Sequence, residues 1–168
     1  MQLNEGLSER LRAIRAVIFD MDGVFTDGSL YLSADGTEMR RFNTRDGLGV
    51  KRLLDAGIRV AVISGRRSSI VEQRMAELGV SPVHLGVEDK GAVFEQTLRT
   101  LGIEADHVAA AGDDLPDLEM LNRAHLAIAV ADAVASVRAA AHWVTTCGGG
   151  NGAVREIADA ILASRENA

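Results

Sequence analysis

The chain has 168 residues, 47% hydrophobic and 25% charged, with 24 acidic against 18 basic side chains and a net charge of −6. That length encloses a core without disulfides, and the composition excludes wholesale disorder. The acidic balance and only six aromatics argue against nucleic-acid and membrane-surface partners. No repeat or Pro-rich linker divides the chain, so one domain over residues 1–168 is expected. The lone Cys147 fits a reducing compartment, no apolar leader opens the sequence, and residues 124–137 are too short and polar to span a bilayer. A cytoplasmic location follows as the expectation.

In chain order, residues 7–14 read as an amphipathic packing helix. Ala16-Val17-Ile18-Phe19 is a short apolar strand running into Asp20. Residues 28–42 read as a β-hairpin, with Ala34-Asp35-Gly36 at its turn. Helical spacing covers 48–56, 69–78 and 92–101, with Gly57, Gly79 and Gly102 placed to stop each helix. Strands are expected at 59–63, running into Ser64, at 108–111, running into Gly112-Asp113, and at 126–130, with short ones at 83–85 and 143–144. Apolar runs without alternation, separated by helices, predict a doubly wound α/β fold on a parallel sheet. Residues 148–153 match a loose G-x-G-x-x-A, but the chain ends before the acidic residue and strand that a dinucleotide site needs. They read instead as a flexible hinge.

Ligands of open parallel sheets bind beyond the carboxyl ends of the strands. Those ends carry Asp20 and Asp22, then Ser64, then Asp113 and Asp114. Two close carboxylates repel unless a cation neutralises them. Asp113 adds a third hard oxygen donor with no Cys or His cluster beside it, which selects Mg²⁺ over zinc. Ser64 and the amides near Gly65 suit phosphate oxygens, and Lys90, opening a helix, supplies a positive charge. A metal, a positive clamp and a carboxylate nucleophile are the parts of phosphoryl transfer through an acyl-phosphate. Each residue alone would read as a cap, a turn or a solvated side chain. Their order at successive strand ends carries the inference.

The strings Asp20-Met21-Asp22-Gly23-Val24 and Gly112-Asp113-Asp114-Leu115-Pro116-Asp117, with Ser64 and Lys90 between them, resemble the motifs of the haloacid dehalogenase superfamily of phosphohydrolases. Residues 20–28, 46–51, 63–66, 112–117 and 149–156 resemble a narrower family, the 3-deoxy-D-manno-octulosonate 8-phosphate phosphatases of lipopolysaccharide synthesis. The resemblance implies Asp20 as nucleophile and Asp22 as general acid and then base. It implies Mg²⁺ held by Asp20, the Asp22 backbone carbonyl and Asp113, with phosphate on Ser64, Gly65 and Lys90. Asp114 and Asp117 would stand behind these, on waters or on Lys90. Arg66 would contact the sugar carboxylate, where the related nonulosonate 9-phosphate phosphatases carry Glu. The family has no large cap domain. It implies a homotetramer whose hairpins (28–42 here) and C-terminal tails (163–168 here) help close neighbouring sites on a small sugar phosphate.

Two other classes stay open at this stage, a receiver-type phospho-acceptor domain and a non-catalytic homologue. In the first, the acceptor Asp should end the third strand, well after the acidic pair, whereas the next strand end here carries Ser64. The intact carboxylates argue against the second. His84, His107, His125 and His142 are dispersed without metal-ligand spacing, and Cys147 has no visible base partner.

Overall fold

A computed structural model describes residues 5–166. The first helix, α1 (Glu5–Ala13), leads into β1 (Ala16–Phe19). A short antiparallel pair follows, β2 (Tyr31–Leu32) and β3 (Glu38–Met39), and then α2 (Thr44–Asp55). The alternation continues through β4 (Arg59–Ser64), α3 (Ser69–Leu78), β5 (Val83–Leu85), α4 (Lys90–Leu101) and β6 (Val108–Gly112). It closes with α5 (Leu118–Leu121), β7 (Leu126–Ala129), α6 (Ala135–Ala140), β8 (Trp143–Val144) and α7 (Ala153–Glu166).

Six strands form one parallel sheet in the order β5-β4-β1-β6-β7-β8. β1, β6 and β7 are buried along their whole length, which is why their sequences run apolar without alternation. The chain proceeds outward from β1 to β4 and β5, then crosses back to β6. β1 and β6 therefore flank the switch point where such sheets open a crevice. Gly79 and Gly102 follow α3 and α4 in the left-handed conformation, as helix-stopping glycines do.

Three elements differ from the sequence reading. α2 begins four residues before the expected position, because the Asn43 side chain caps it by accepting from the Arg45 amide at 2.9 Å. Gly47 and Gly49 hide this start from helix propensity. Gly49 lets α7 approach closely: a side chain there would meet the Cα of Arg155 at 3.0 Å. The hairpin pairs only Tyr31 with Met39 and Leu32 with Glu38, shorter than residues 28–42. Residues 163–166 are the last turn of α7 rather than a tail, and 167–168 lie outside the described residues.

Candidate active site

Three adjacent strands end at one rim. Asp20 follows β1, Ser64 ends β4, and Asp113 follows β6. The Asp20 amide still donates to the Ala111 carbonyl at 2.9 Å, so the sheet ladder fixes its backbone. The chain then turns sharply, the Met21 carbonyl accepting from the amides of Phe25 at 3.0 Å and Thr26 at 3.3 Å. Gly23 sits in that turn at φ +94°, and any side chain there would overlap the Asp113 carboxylate.

One carboxylate oxygen from each of Asp20, Asp113 and Asp117 lies within 4.8 Å of the others. Burial, then the charge of Asp117, pushes Asp20 up to about 8. Burial, then Asp117 and Asp114, pushes Asp113 up to about 7. Lys90 Nζ lies 2.5 Å from Asp20 Oδ1 and 2.6 Å from Asp117 Oδ1. Burial works against the lysine's charge, but the two carboxylates outweigh it and its pKa is raised. Asp117 Oδ2 accepts from the amides of Asp113 at 2.9 Å and Asp114 at 3.1 Å. One carboxylate thus fixes the loop after β6 and aims Lys90. Asp114 is exposed, its carboxylate accepting from the Leu115 amide at 2.7 Å.

Ser64 is 2% exposed, and its Oγ accepts from the Arg66 amide at 3.3 Å. Gly65 and Arg66 continue past it as exposed residues. Hard oxygen donors whose protons are held by burial and mutual repulsion suit a divalent cation. The cluster therefore fits one between Asp20 and Asp113.

The Asp22 carboxylate is outside this cluster. It pairs with Arg40, a residue of the hairpin segment that sequence reasoning missed. Burial, then the nearby charge of Arg66, lowers the Arg40 pKa, against the pull of Asp20. Arg40 carries no motif; the chain returns to bring it to Asp22, 18 positions earlier in sequence.

The glycine-rich segment corrects the hinge expectation. Gly149 and Gly150 are buried against the turn that carries Asp20 and Asp22. The Gly150 amide donates to the Val24 carbonyl at 3.0 Å and the Gly149 amide to Asp132 Oδ1 at 2.9 Å. A side chain at Gly149 would overlap the Gly23 carbonyl. These glycines serve close backbone packing, not mobility. Cys147 stands at a separate cavity of about 760 Å³ lined by Arg45, Asn151, Arg155 and Glu156, and burial raises its pKa.

The pattern of haloacid dehalogenase-like hydrolases matches residues 83–157. The chain is 40% identical over 158 residues to the 3-deoxy-D-manno-octulosonate 8-phosphate phosphatase of Yersinia pestis, covering 94% of this chain and 84% of that protein. It is similar, with a TM-score of 0.95 and 38% identity, to the crystal structure of that phosphatase from Moraxella catarrhalis in complex with a magnesium ion, a phosphate ion and a KDO molecule. That match covers 98% of this chain and 95% of the other. The cobalt-bound phosphatase of Haemophilus influenzae superposes with a TM-score of 0.91 at 41% identity, over 94% of this chain and 92% of that one.

Proposed function

The chain belongs to the haloacid dehalogenase-like hydrolases, in the family of 3-deoxy-D-manno-octulosonate 8-phosphate phosphatases, and we propose that it hydrolyses that sugar phosphate to the free sugar acid and phosphate. The observation that carries the chemistry is the cluster of buried Asp20 and Asp117 with half-buried Asp113, Lys90 bridging the first two. The enzyme uses a divalent metal cofactor, and Mg²⁺ is our reading of its identity. Asp20 and Asp113 would hold it, with the Asp22 backbone carbonyl. When bound, the cation neutralises charge on the transferring phosphoryl group.

Asp20 is the nucleophile: its carboxylate oxygen bonds to phosphorus as the bond to the sugar oxygen breaks. Lys90 and Ser64, with the amide of Gly65, take the phosphoryl oxygens. Asp22 protonates the departing sugar oxygen, a contribution of about 10² to 10⁴-fold in rate. The same carboxylate then removes a proton from the water that attacks the aspartyl-phosphate. Asp117 positions Lys90, and Asp114 caps the loop that carries Asp113. Arg66, exposed two residues past Ser64, would meet the sugar carboxylate.

We infer a cytoplasmic homotetramer without nucleic-acid or membrane partners. Tyr31, Leu32 and Met39 on the hairpin are 48%, 66% and 63% exposed, an apolar surface that a neighbouring copy would cover. Among the described residues no helix is long and apolar enough to cross a membrane.

The test is phosphate release from the octulosonate 8-phosphate, a nonulosonate 9-phosphate and hexose 6-phosphates, with Mg²⁺ and with EDTA. Mg²⁺-dependent preference for the octulosonate is expected. Equal rates on all esters would overturn the substrate, and no release from any would overturn the mechanism.

A further inference from the structure

Arg40 ties the hairpin to the catalytic carboxylates, and its side chain is 1% exposed. Its three nitrogens are used unequally. Nη1 pairs with Asp22 Oδ1, Nε donates to Glu38 Oε1 at 2.7 Å, and Nη2 is buried with no acceptor among the described residues. Glu38 is itself held, its Oε2 accepting from the buried Ser68 Oγ at 3.1 Å just before α3. Beyond the ion pair, Asp22 Oδ1 has no hydrogen-bond partner among the described residues. A buried guanidinium with idle N–H donors is costly until an acceptor arrives. The charge of Arg66 close by adds to that cost and is relieved by an anion near both.

The phosphoryl end of the substrate already has Lys90, Ser64 and the metal carboxylates. The other anion on a sugar acid is its carboxylate. We propose that Arg40 makes recognition of that carboxylate release Asp22: the substrate's carboxylate draws the guanidinium outward, and Asp22, freed of its ion pair, turns to the leaving oxygen. This rests on the reading that the substrate is a phosphorylated sugar acid. One ion pair replaces another; the freed Asp22 carboxylate takes up a proton from solvent water, the proton it then gives to the leaving oxygen, and no bond between heavy atoms changes in the exchange. An ester lacking the carboxylate leaves Arg40 on Asp22 and turns over slowly. Arg40 thereby binds substrate and positions the general acid, and Glu38 positions Arg40.

Steady-state kinetics test this with two substrates that share one leaving group, 3-deoxy-D-manno-octulosonate 8-phosphate and its C1 carboxamide. The unaltered enzyme is expected to favour the acid by about 10²-fold in kcat/KM, part of it in kcat, as loss of a buried charge pair implies. In Arg40→Gln the preference should fall below about 10-fold, the acid losing rate and the amide gaining it. Arg40→Lys, which keeps the charge, should recover part of the preference. A preference that survives Arg40→Gln, or an equal loss on both substrates, overturns the proposal while leaving the substrate intact. Equal rates on both substrates in the unaltered enzyme overturn the substrate reading and this proposal together.

Discussion

Asp20 carries a charge that the folded chain resists, because burial and Asp117 push its carboxyl up to about 8. Burial and Asp117 favour its protonated form, against the pull of Lys90, and an amide is close to that form in shape and charge. Asp20→Asn is therefore expected to shift the Tm of the metal-free protein by no more than a few degrees. Phosphate release should fall by at least about 10³-fold, since an amide is no nucleophile toward phosphorus. A thermal melt beside a phosphate assay checks both, and retained activity would remove Asp20 from the nucleophile's role. At this scale the sequence was readable where function sits on the sheet. Asp20, Ser64 and Asp113 lie at strand ends, and a strand end is a local signal. Arg40 was not readable, because its approach to Asp22 is set by a fold-back over many residues. Asp117 was visible in its motif with Lys90 among its expected partners, but its hold on the amides of Asp113 and Asp114 appears only in three dimensions.

Between elements, α2 and α7 are joined by a cap that crosses from one helix to the other. Asp46, buried on α2, accepts from the Arg155 amide at 2.9 Å and the Gly152 amide at 3.3 Å, at the start of α7. It satisfies amides that a helix N-terminus leaves open. Burial raises the Asp46 pKa against the pull of these bonds. Asp46→Ala leaves those amides unsatisfied, and a loss of about 1–3 kcal/mol is expected, seen as a lower Tm or denaturant midpoint. No change would mean that water replaces the carboxylate. α7 also anchors the glycine segment, since Glu156 accepts from the amides of Thr146 and Cys147 at 2.9 Å. The turn behind Asp20 and Asp22 is thus braced by the chain's last helix. The alternation of strands and helices was legible because burial on both faces leaves strands uniformly apolar. The glycine segment misled because flexible and close-packed glycines look alike in one dimension. Only the backbone of Gly23 and Thr26 opposite Gly149 tells them apart.

For the whole molecule, assembly and metal loading give separate tests. Replacing Leu32 and Met39 together by Lys puts charge on the hairpin's apolar surface. If the hairpin forms the interface of the tetramer we propose, the mass measured by light scattering should then drop below four chains while the circular dichroism is unchanged; an unaltered mass would place the interface elsewhere. Metal loading follows from the carboxyl cluster. Asp20 at about 8 and Asp113 at about 7 lie far above an unfolded Asp, near roughly 3.9. Between those values the folded chain holds protons that the unfolded chain has released, so raising the pH favours unfolding. This contribution is full below about pH 4 and is lost as pH rises through about 8. A divalent cation binds the deprotonated carboxylates and takes the place of those protons. The gain in Tm from a fixed Mg²⁺ concentration should be small near about pH 5, grow through neutrality and be largest near about pH 8, with EDTA abolishing it. A gain independent of pH would move the cation away from Asp20 and Asp113, and with it the metal-assisted displacement that their placement supports.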